Sequence, residues 1–213
     1  MGPVTRPAAR TPRGEVRRTT RSARATFELG RALGAALQPG DVVALVGELG
    51  AGKTQLARGI CRGAGVPDEE VASPSFAIVA TYHGRITVHH ADLYRVGDPD
   101  ELYGTGFHEL VGGAGAVLVE WADRLPGALP PERLDIHLAH DARSASARHL
   151  TALGTGARHA ALAERLRPHA RRRARPSSSA PASGRADPLT RRRAPRAGRR
   201  RARGGRRGRG PPR

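Results

Sequence analysis

Apolar residues recur near helical spacing through residues 23–37, where Phe27, Leu29, Ala32, Leu33, Ala36 and Leu37 mark one face and Gln38-Pro39-Gly40 ends the pattern. A helix is therefore expected to lead into the unbroken apolar run Val42-Val43-Ala44-Leu45-Val46, which reads as a buried strand. After a glycine-rich octet, Gln55-Leu56-Ala57-Arg58-Gly59-Ile60 opens a second helix reaching about Ala64, and Gly65-Val66-Pro67-Asp68 breaks it. Val71-Ala72-Ser73-Pro74-Ser75 is a proline-fixed bend. The run 76–82, the turn His83-Gly84 and the run 86–90 then read as a hairpin. A Gly-rich link precedes a strand at Ala116–Glu120. Residues 134–139 and 149–153 read as two more short strands, and 157–166 as a closing helix. The order predicts an α/β fold: a small single domain with a central β-sheet flanked by helices.

Charge changes that picture only at the ends. The 213-residue chain carries a net charge of +18. Residues 1–26 hold seven Arg against one acid, residues 27–166 twelve basic against seventeen acidic side chains, and residues 167–213 eighteen Arg against one acid. The basicity belongs to the tails, and the centre is net acidic. The expected organisation is a disordered Arg-rich extension at 1–22, a nucleotide-binding domain at 23–166, and a disordered Arg/Pro/Ser/Gly-rich tail at 167–213. The single Cys61 excludes an intrachain disulfide, fits a reducing compartment and reads as a small buried apolar residue. No run approaches eighteen apolar residues, and the first 26 lack the apolar segment of a secretory signal, so a cytoplasmic location without a membrane span is expected.

The octet Gly47-Glu48-Leu49-Gly50-Ala51-Gly52-Lys53-Thr54, set between strand and helix, is a phosphate-binding glycine loop of the Walker A type. Glycine lets the chain curl so that backbone N–H groups and a helix N-terminus converge on phosphate oxygens. In this P-loop, Lys53 is placed to reach the β- and γ-phosphates and the Thr54 hydroxyl to ligate Mg²⁺. Lys53 is also the only lysine in an otherwise arginine-biased chain. A Mg²⁺ site needs one or two carboxylates beside the phosphates. Glu120, closing Ala116-Val117-Leu118-Val119, and Asp92, following the second hairpin strand, are the candidates, each with a helix cap or surface ion pair as its structural alternative. Trp121 follows the acid and either stacks near the nucleotide or packs. His89, His90 and Asp92 suggest a metal site, but neighbouring strand residues face opposite ways, so the two histidines do not readily share one ion. Arg95 either neutralises phosphate charge or pairs with Asp98 or Glu101.

These residues resemble the TsaE (YjeE) ATPases of bacterial tRNA threonylcarbamoyladenosine biosynthesis. The resemblance runs in order through Thr26…Leu29-Gly30, the Gly47–Thr54 loop, Ser73-Pro74-Ser75-Phe76, His90-Ala91-Asp92-Leu93-Tyr94-Arg95, Asp98-Pro99-Asp100-Glu101-Leu102, Gly106-Phe107, Glu120-Trp121 and Leu129-Pro130…Arg133-Leu134. It implies a P-loop NTPase fold binding ATP and Mg²⁺. Lys53, Asp92 and Glu120 would be catalytic, and Thr54, Glu120 and Asp92 the metal set. Glu48, Leu49, Gly50, Ala51, Gly52, Lys53, Thr54, Gln55 and Trp121 would hold the nucleotide, with Ser73 to Ser75 as a switch near the γ-phosphate. The implied role is ATP hydrolysis that resets the partner proteins TsaD and TsaB between rounds of threonylcarbamoyl transfer to a tRNA adenosine. Gln55, Ser75 and Ala91 depart from the family's usual threonine, threonine and aromatic residue. The arginine tail has no counterpart in the family core; it suits non-specific contact with tRNA phosphates, or is an idle solvated extension. A small-molecule P-loop kinase, or an RNA-binding protein with a structural nucleotide site, are the competing readings. Only seven Phe, Trp and Tyr make sequence-specific RNA stacking a poor fit.

Overall fold

Alternation of buried side chains along β2 (Val42–Val46) builds the centre of the sheet: Val43 and Leu45 face one core cluster, Val42 and Ala44 the other. The computed structural model describes residues 15–67, 71–74 and 77–167. Within them β1 (Glu15–Thr20), α1 (Ala23–Gly34), β2, α2 (Lys53–Gly63), β3 (Val79–His83), β4 (Thr87–Asp92), α3 (Pro99–Tyr103), α4 (Phe107–Leu110), β5 (Ala116–Glu120), β6 (Leu134–Asp141), β7 (Ser144–Gly154) and α5 (Gly156–Glu164) follow in order. The seven strands form one sheet in the order β1-β7-β6-β2-β5-β4-β3. β2 pairs in parallel with β5 and β6, and β4 with β5, while β1/β7, β6/β7 and β3/β4 are antiparallel. Helices α1, α2 and α5 cover one face through Leu33, Leu56, Ile60 and Leu162; the short α3 and α4 cover the other through Leu102 and Phe107.

Registration places the site. Leu45 lies opposite Glu120, and Glu120 opposite Asp92, so both carboxylates stand in one row at the carboxyl ends of adjacent parallel strands, where β2 delivers the glycine loop.

Several boundaries differ from the sequence reading; among them, β3 starts at Val79 and takes in His83, and β4 runs on to Asp92, past the expected end at residue 90. The N-terminal extension expected to run to residue 22 gives way at Glu15 to β1, whose Val16, Arg18 and Thr20 lie opposite Ala152, Leu150 and Arg148 of β7. One apolar residue in six left this strand illegible; its ladder to β7 makes it. Helix α1 ends at Gly34 rather than near Leu37 because the Arg85 guanidinium takes the Gly34, Ala35 and Leu37 carbonyls at 3.1–3.3 Å. The two short C-terminal strands are one long hairpin, β6–β7. The expected Gly-rich link holds α3, capped by Asp98 accepting from the Glu101 N–H at 2.9 Å, and α4. The tail from residue 168, residues 1–14 and Ser75 lie outside the described residues. Cys61 is fully buried, and burial pushes its thiol up to about 12.

Candidate active site

The glycine loop turns tightly where β2 meets α2. Gly47, Gly50 and Gly52 take positive φ values of 149°, 76° and 99°, and a Cβ on Gly47 would overlap the Leu138 carbonyl of β6. Lys53 begins α2 and is 4% exposed. Its Nζ donates to the Gly47 carbonyl at 2.7 Å and the Glu48 carbonyl at 2.9 Å, and lies 3.4 Å from the centroid of the Trp121 ring. Two carbonyls and an aromatic face thus hold the ammonium. Burial lowers the Lys53 pKa, opposed by the charges of Glu120, Asp123 and Asp92. Trp121 reaches this position from a left-handed backbone, φ 57°, directly after β5, and packs against Tyr94 in a tilted arrangement with ring centroids 4.8 Å apart.

On the other side of Lys53, the Thr54 hydroxyl donates to Glu120 Oε2 at 2.8 Å, and His90 Nε2 lies 3.0 Å from Glu120 Oε1. Glu120 is 1% exposed and His90 fully buried. Asp92 Oδ2 accepts from Ser73 Oγ at 2.6 Å and Oδ1 from the Tyr94 N–H at 3.0 Å. His89 faces the opposite way, its Nδ1 3.0 Å from Thr81 Oγ1. The set at the loop, one hydroxyl and two carboxylates at neighbouring strand ends, suits Mg²⁺, which keeps waters and takes phosphate oxygens for its remaining positions. Among the described residues no group of three or more His, Cys, Asp or Glu forms a metal site of its own.

Leu49, Gly50 and Gly52 of the loop, with Lys53, Thr54, Glu120 and Trp121, line one cavity of about 180 Å³. Of the other residues expected at the nucleotide, Ala51 is buried beneath the loop, and Glu48 contributes its carbonyl to Lys53. Gln55 points elsewhere, into a neighbouring cleft of about 260 Å³ shared with Thr26, Gly52, Ser146 and Arg148. Two loop contacts escaped the sequence reading: His140 Nε2 lies 3.3 Å from the Leu49 carbonyl, and Arg148 Nη2 donates to the Gly50 carbonyl at 3.2 Å. Both sit on the β6–β7 hairpin, and only its full length, unrecognised in the sequence, brings them to the loop.

The family model of the threonylcarbamoyl adenosine biosynthesis protein TsaE matches residues 20–150. The tRNA threonylcarbamoyladenosine biosynthesis protein TsaE of Treponema pallidum is 39% identical over 123 residues, covering 58% of this chain and 90% of that one. The protein of the same name from Bacillus subtilis is 38% identical over 133 residues, covering 62% and 81%. The crystal structure of B. subtilis YdiB superposes with a TM-score of 0.57 at 31% identity, over 72% of this chain and 94% of the other.

Proposed function

The chain belongs to the TsaE family, and from that membership and the geometry of its glycine loop we propose that it is a Mg²⁺-dependent ATPase of tRNA threonylcarbamoyladenosine biosynthesis. It works in the cytoplasm with TsaD and TsaB, which carry out the transfer, and its hydrolysis of ATP to ADP and phosphate lets them turn over. The observation that carries this reading is the Thr54–Glu120 hydrogen bond at the wall of the cavity that Lys53 also lines.

The backbone N–H groups of the loop and the start of α2 receive phosphate oxygens. Lys53, held by the Gly47 and Glu48 carbonyls, exchanges these neutral acceptors for phosphate, a stronger partner because it is charged. Thr54 and Glu120, with Asp92 behind them, are the residues that would hold Mg²⁺, and the ion when bound supplies charge neutralisation to the phosphates. Glu120 orients the attacking water, and Ser73 fixes the rotamer of Asp92. Trp121 lays its ring face against the Lys53 ammonium.

Lys53→Ala should abolish ATP binding, whereas Glu120→Gln should retain binding and slow turnover by about 10²-fold, the order seen when a group acting at the transition state is removed. Phosphate release by the full chain, alone and with TsaD, TsaB and tRNA, measures both. Unimpaired hydrolysis in both variants would overturn the assignment.

A further inference from the structure

Glu120 is the most deeply buried acid at the site, and the two partners of its carboxylate lie on different elements. Oε2 takes the Thr54 hydroxyl from α2, and Oε1 meets His90 from β4. The strand register explains the second contact. His90 lies opposite Leu118 and Asp92 opposite Glu120, so His90 and Glu120 are diagonal neighbours on one face of the sheet, while His89 faces away to Thr81. A carboxylate offers only acceptors, so the proton between the two groups belongs to His90 Nε2. Among the described residues, His90 Nδ1 is buried without a hydrogen-bond partner. The nitrogen facing the site is then a donor, and unavailable as a metal ligand.

We propose that His90 is a positioning residue for Glu120: its Nε2–H holds Oε1, which leaves Oε2 as the oxygen that faces Thr54 and the nucleotide cavity. Without that bond the carboxylate has one partner in place of two and is free to turn about its terminal torsion, so that neither oxygen has a fixed task. The proposal rests on the reading that Glu120 acts on water or metal during ATP hydrolysis, and it concerns only how this acid is aimed.

The test compares the full chain with His90→Phe, which keeps a ring but has no donor, and His90→Gln, which restores an amide N–H at similar reach. ATP affinity measured without Mg²⁺ should stay within about threefold in all three, while kcat should fall about tenfold or more in His90→Phe and largely recover in His90→Gln. A merely structural role would move affinity and turnover together and would not be rescued by the amide. Nitrogen-15 NMR of the imidazole in the wild-type chain gives a readout independent of turnover and of any variant's folding. It should show Nε2 protonated and slow to exchange. Full kcat in a folded His90→Phe chain, or an Nδ1–H tautomer at His90, would overturn the proposal. Absence of ATP turnover by the wild type with its partners would instead remove the ATPase reading, and the tautomer would still decide the assignment of His90.

Discussion

At the scale of single residues, the loop is ready-shaped because side chains from outside it pin its carbonyls. Arg148 is one of them. Besides the Gly50 carbonyl, its guanidinium binds the Ala145 and Ala147 carbonyls at 2.7 Å, so it ties the tip of β7 to the loop. Ordering a loop on binding costs affinity, and a loop held in advance avoids that cost. Arg148→Met, which keeps the stem and loses the fork, should therefore weaken ATP binding about tenfold while leaving the unfolding midpoint nearly unchanged; titration with a fluorescent ATP analogue and a urea melt separate the two. An unaltered affinity would show that the loop keeps its shape without the arginine.

At the scale of elements, α1 and α2 meet at unusually short range, and the reason is four glycines. Gly30 and Gly34 on α1 and Gly59 and Gly63 on α2 line the contact, and a Cβ on any of the four would run into backbone of the opposite helix. Because α2 begins with Lys53 and Thr54, this contact also sets where those two residues stand relative to β5. Alanine ordinarily stabilises a helix interior by about 1 kcal/mol over glycine. Overpacking a tight contact costs about 1–3 kcal/mol, so the collision should win. Gly34→Ala is expected to lower the urea midpoint, with the loss carried into ATP affinity; a more stable variant would show that the helices slide apart freely. Both i, i+4 glycine pairs are visible in the sequence, but spacing alone does not say that the two helices touch.

At the scale of the whole molecule, the end of the sheet away from the loop is closed by an ionic cluster around the buried Asp41. Asp41 precedes β2 and is 2% exposed; it accepts from the Gln38 N–H at 2.7 Å and from Arg158 of α5, whose Nη2 also binds the Ala36 carbonyl. Next to it His159 Nε2 accepts the Val42 N–H at 3.2 Å, which requires that nitrogen to be bare. Burial lowers the His159 pKa below its ordinary 6.5, with Arg158 adding to the effect and Asp41 opposing it. The unfolded chain thus takes up this proton at a higher pH than the native one. The stability is complete above pH 6.5 and is lost as pH falls from there through the lowered native value. His89, whose pKa is also lowered by burial, adds a loss of the same sign. Thermal melts at pH 7 and pH 5 should show a drop in Tm that is smaller in His159→Gln, which keeps an acceptor without a titratable ring. An equal drop in both would assign the acid sensitivity to other groups.

Local chemistry was legible in the sequence itself. The glycine loop, the apolar run before it, the helix after it and the acid closing β5 can be read in order, because strand burial, helix initiation and loop chemistry each depend on residues a few positions apart. Long-range pairing was not legible. β1 has a single apolar anchor, and its order comes from β7, more than a hundred residues away in the chain. The hairpin that carries Arg148 and His140 to the loop likewise shows its length only in its ladder. Adjacency in the sequence made His89 and His90 look like a pair, whereas the pleat sends one to Thr81 and registers the other against Glu120. Residue types and their local spacing state which chemistry is on offer; which atoms meet depends on strand register and helix approach, and these are settled only when distant segments bury one another.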